Sequence, residues 1–83
     1  MMLHLGSGRS VPFCQVVALI DLGRERTRDT QALVSGVKAM GRLLPLGEPA
    51  KSLVLVQDKS EQWCYLSPFS VRTLVRRVHA NFE

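Results

Sequence analysis

Two histidines, two cysteines and a strand-end aspartate are the side chains of this sequence best suited to bond-making chemistry, and their spacing completes no recognised site. His4 and His79 stand near opposite ends of the 83 positions, and neither falls in a Ser/His or Cys/His arrangement. Cys14 and Cys64 lack both the Cys-x-x-Cys spacing and the second Cys/His pair that a zinc site needs, so both are expected as small buried hydrophobes. Asp21 closes an apolar run, where a carboxylate serves either as an acid or base or simply as an acceptor for the turn that follows. There is no nucleophile elbow, phosphate-binding loop, dinucleotide glycine pattern or EF-hand loop. The chain is read as a non-enzyme with no cofactor, no metal and no small-molecule substrate.

The arginines carry more information. Eight of the eleven cations are arginine, whose planar fork gives two parallel hydrogen bonds to phosphate. In 62-QWCYLSPFSVRTLVRRV-78, Arg72 and Arg76 are four apart, His79 follows three later, and Arg77 sits beside them. On a helix these share the side opposite Val71, Leu74, Val75 and Val78. Like charges at that spacing repel, which suits either a solvated helix face or an anionic partner. Arg24, Arg26 and Arg28 alternate earlier, and Lys38, Arg42 and Lys51 follow. Against seven acids the formal charge is +4 and the pI about 9.7, which raises the standing of duplex DNA as a partner. Stacking aromatics are too few for single strands.

The elements that must position these residues follow from period and punctuation. Leu3 and Leu5 alternate into a first strand closed by a turn at Gly6-Ser7-Gly8, and Pro12 limits where the next strand begins. A second strand is expected at 16–22. A helix follows, capped by Thr27, Asp29 or Thr30, with Leu33, Val34, Val37 and Met40 as its apolar stripe and Gly41 as its C-terminal cap. Positions 43–49 hold two prolines and a glycine and read as a loop. A third strand at 51–57 and a fourth at 63–67 flank a polar hairpin turn. Ser67-Pro68 ends that strand, and Ser67 or Ser70 opens the last helix.

The result is a single α+β domain over 1–83, with a mainly antiparallel sheet of about four strands and two helices. A composition 46% hydrophobic and 22% charged belongs to a folded chain. The runs Val16 to Ile20 and Leu53 to Val56 are apolar at every position, so both sheet faces must be covered. Two short helices suffice for about one face, and self-association is expected to cover the other. With no apolar run longer than Val16 to Ile20, neither a signal peptide nor a membrane span is expected, and the protein is placed in the cytoplasm.

The segments 3-LHLG-6, 11-VPFCQVVALID-21, 51-KSLVLV-56 and 64-CYLSPFSVRTLVRR-77 resemble the Rem family of bacterial extracellular matrix regulatory proteins, and its B branch more than its A branch. The Tyr-Leu-Ser-Pro-x-Ser segment with its Thr-Leu and basic pair carries most of the likeness, whereas 23–49 carries none. The resemblance implies a ring-like homo-oligomer and, in the A branch, DNA binding in the control of biofilm matrix genes. Proteins of that branch carry arginine where Gln15 stands and a Gly-Arg-Arg segment where this chain reads Gly47-Glu48-Pro49-Ala50-Lys51. DNA contacts would here fall to Lys51 with Arg42, Arg9, Arg72, Arg76 and Arg77. The alternative is a protein-interaction or assembly module of the same fold that does not bind DNA.

Overall fold

The computed structural model describes residues 1–23 and 28–82. Its elements run β1 (Met2–Gly6), β2 (Arg9–Pro12), a 3-10 turn (Phe13–Gln15), β3 (Val16–Asp21), α1 (Arg28–Ala39), β4 (Leu43–Pro45), β5 (Ser52–Asp58), β6 (Glu61–Ser67) and α2 (Val71–Phe82). β1 and β2 form a separate antiparallel hairpin, while the main sheet has the order β3-β5-β6-β4. Within it β3 and β6 pair antiparallel to β5, and β4 lies parallel to β6 along the far edge.

Two of these strands depart from expectation. Pro12 ends β2 instead of merely delaying β3, a position where its missing N–H breaks no ladder. The segment expected as a loop after Gly41 contains β4, a three-residue edge strand that tolerates Pro45 at its end.

The unbroken apolar runs are explained by a sheet covered on both sides. Val54, Val56 and Tyr65 face Leu3, Leu5, Val11 and Leu74, so the β1–β2 hairpin and α2 together roof one face. Leu53 and Cys64 point the other way, against Val37 of α1. A bulge at Val17 adds one residue to β3, which turns Val16 and Leu19 to the roofed face while Ile20 turns to α1. The helices thus take opposite faces, and a second copy is not needed to cover a bare one. The α1 side is nonetheless thinner: α1 packs on β6 and β4, and Ile20, Leu22, Leu55 and Leu66 stay half-exposed there.

Both helices end as their sequences direct. Gly41, at φ +73°, closes α1 with Arg42 N–H donating to the Val37 carbonyl and Gly41 N–H to that of Lys38, each at 3.0 Å. Met40 leaves the expected stripe and stands 61% exposed. The expected cap Thr27 lies outside the described residues, and Asp29 sits within the first turn. At α2 the Ser70 hydroxyl accepts from Thr73 N–H at 3.1 Å, so Ser70 is the N-cap. Val71, Leu74 and Val78 pack inward as the spacing requires, whereas Val75 is 38% exposed.

Candidate functional site

The roof over the first sheet face holds four of the six expected contact residues. Arg72 and Arg76 are exposed on α2 with His79. Arg77, between them and the sheet, lays its guanidinium 4.3 Å from the centre of the Phe69 ring and donates to the His4 carbonyl at 3.3 Å. It therefore ties α2 to β1 as well as contributing charge. The His4 ring lies 6.0 Å from Phe69, and its Nδ1 meets the Ser10 hydroxyl at 3.3 Å. Arg9, on β2, sits 5.7 Å from the centre of the Tyr65 ring.

Neither the β1–β2 hairpin nor α2 contains an aspartate or glutamate. Their four arginines equal the whole formal excess of +4, because the other seven cations of the chain are matched by its seven acids. The formal excess therefore falls on these two elements by sequence, although Asp58 and Glu61 of the β5–β6 turn stand around the same cavity as Arg9. A surface of one sign gathers counter-ions of the other and steers polyanions toward it.

Arg42 and Lys51 lie elsewhere. Arg42 precedes β4, where its carbonyl accepts from Cys64 N–H at 2.9 Å and its guanidinium meets the Glu61 carboxylate at 3.8 Å. Lys51 adjoins the other end of β6, its N–H donating to the Ser67 carbonyl at 2.8 Å. Those two anchor points on β6 are separated by roughly 10 Å of strand. The six residues are thus a group of four on the roof and two on separate margins of the sheet. Gln15, at the end of the 3-10 turn, donates to Asp58 at 3.4 Å. Gly47 packs so tightly on Pro68 that an added Cβ would lie 2.9 Å from its Cγ.

The remaining chemical candidates resolve individually. Asp21 accepts from Gly23 N–H at 2.8 Å, the turn-holding role. Cys64 is fully buried, and burial pushes its thiol up from an ordinary pKa of about 9.0. Cys14 is exposed instead of buried, because the 3-10 turn directs it outward. Both thiols are free. Among the described residues no three His, Cys, Asp or Glu side chains come together to hold a metal, and no helix is long and apolar enough to cross a membrane.

A feature that sequence reasoning missed is a cavity of about 310 Å³ on the roofed face, beside the β5–β6 turn. Trp63 and Tyr65 wall it, Val11, Leu44 and Val56 form its floor, and Arg9, Gln15, Asp58 and Glu61 stand around it. The alternation of Trp63 and Tyr65 along β6 was the available signal for a shared aromatic face. A shallower apolar groove of about 350 Å³ runs between β3 and α2, lined by Val16, Val17, Leu19, Val71, Val75 and Val78 with Phe13 and Ala18.

Comparison with known proteins returns no matching family model and no matching curated protein.

Proposed function

We propose that this protein is a cytoplasmic, non-enzymatic transcriptional regulator of the Rem type, which contacts duplex DNA through the arginines of its roof and acts as a ring-like homo-oligomer. The observation that carries this reading is the confinement of the formal excess charge to the hairpin and α2. Arg72 and Arg76, exposed on a helix that contains no carboxylate, suit the phosphate backbone, whose neutralisation releases counter-ions and makes binding depend on salt. One protomer offers few such contacts. Repetition around an assembly raises the effective concentration of each contact for the same duplex. The second copy is taken up at the groove between β3 and α2, where Val17 is 58% exposed and the outer side of β3 has no strand partner among the described residues.

Arg72 and Arg76 are exposed, so replacing both with alanine leaves the fold intact. Binding to a duplex fragment across a salt series is expected to weaken, and the slope of log affinity against log salt to become shallower by about 1.8, or 0.9 for each lost phosphate contact. An unchanged slope removes this layer from the DNA surface. An intact oligomer that binds no duplex at low salt is instead the assembly module, a reading that the exposed groove beside β3 favours.

A further inference from the structure

We propose that the cavity beside the β5–β6 turn binds a guanine-type heterocycle. This does not rest on the DNA reading, since the ligand meets the cavity through its ring and not through phosphate. At about 310 Å³ the cavity lies at the small end of the ~300–1,000 Å³ range of ligand pockets, suited to a bicyclic ring. Trp63, half-buried on β6, supplies the stacking face, and Tyr65 beside it is buried with the Arg9 guanidinium over its ring.

The polar groups define the edges of the ligand. Asp58 and Glu61 are direct cross-strand partners and both border the cavity, so two like charges face each other across the ladder. Such a pair is destabilising on its own. Gln15 engages one oxygen of Asp58 and Arg42 meets Glu61 only at 3.8 Å, which leaves acceptor capacity on both carboxylates. A ligand with adjacent N–H donors relieves the repulsion. Arg9 offers donors only, so another edge of the ligand must accept. Guanine combines these edges: its imino and exocyclic N–H groups are neighbours, and its O6 and N7 are acceptors of the kind arginine recognises. Adenine places a ring-nitrogen lone pair beside its amino group, where it would oppose a carboxylate.

The chain has one tryptophan, so its indole N–H gives a single nitrogen-correlated NMR signal that reports on this wall. The full chain is titrated with guanosine and with adenosine at low and high salt. We expect a saturable shift of the indole signal with guanosine, a Kd at least about tenfold lower than for adenosine, and no salt dependence, because the ligand is neutral. Asp58→Asn, or Glu61→Gln should the first variant lose its dispersed spectrum, weakens guanosine binding by about tenfold or more, the scale of one hydrogen bond to a charged group. Asp29→Asn, on the helix of the opposite sheet face, leaves it unchanged. No saturable shift, equal affinity for the two nucleosides, or wild-type binding by both cavity variants overturns the proposal.

Discussion

The two thiols show how far neighbouring surroundings separate identical side chains. Cys64 lies under α1 in a fully apolar setting, and there the thiolate loses its hydration with no compensating charge. Cys14 stands in solvent on the 3-10 turn. One thiol of the native protein is therefore expected to react with an aromatic disulfide reagent at once, and the second only on unfolding; two fast equivalents would contradict this burial. The raised pKa also sets a direction for stability. The folded state holds the Cys64 proton more tightly than the unfolded chain does, so the thiol's contribution is complete below the unfolded pKa and is lost as pH rises through the folded one. Thermal scans should show this decline beginning in the alkaline range, above about pH 8.5.

At the scale of elements, Ser67 joins three of them. Its buried hydroxyl donates to the Leu5 carbonyl at 2.6 Å and accepts from Phe69 N–H at 3.1 Å, which holds β1 against the end of β6 and sets the approach to α2. Ser67→Ala leaves the Leu5 carbonyl without this partner in a buried position and is expected to cost about 1–3 kcal/mol. Denaturant unfolding measures that loss, and a change below about 0.5 kcal/mol would show that water or rearrangement replaces the bond.

Much of this level was legible beforehand. The stop at Ser-Pro, the cap of α2, the glycine end of α1 and the pairing of β5 with β6 are each written in local residues. β2 and β4 were not, because each is short and carries a proline, and β4 is held by β6, a partner distant in sequence. The candidate surfaces divided in the same way. The helix arginines announce themselves at 72, 76 and 77, whereas the cavity forms where positions 9–15 and Leu44 meet positions 56–65.

For the whole molecule, both sheet faces are covered within one chain, the α1 side more thinly, and the outer side of β3 has no strand partner among the described residues. An assembly built at that edge should depend on Val17, which projects from a bulge and contributes little to the interior. Val17→Asp is expected to reduce the solution mass toward the 9.3 kDa protomer while leaving the circular dichroism unchanged. An undiminished mass would move the subunit contact away from the groove. The same variant should weaken duplex binding without altering any arginine, since linked contacts lose their mutual support.

The roof that bears the charge is made from β1–β2 and α2, with residues 13–70 between them. During synthesis the hairpin is made first and has to wait for the helix that packs beside it. At roughly 5–20 residues per second, those fifty-eight positions take about 3–12 s to translate. Leu3, Leu5 and Val11 lack Val54 and Tyr65 until β5 and β6 are made late in that interval, and lack Leu74 throughout it, so the nascent chain stays open to capture by a chaperone until its last element is made.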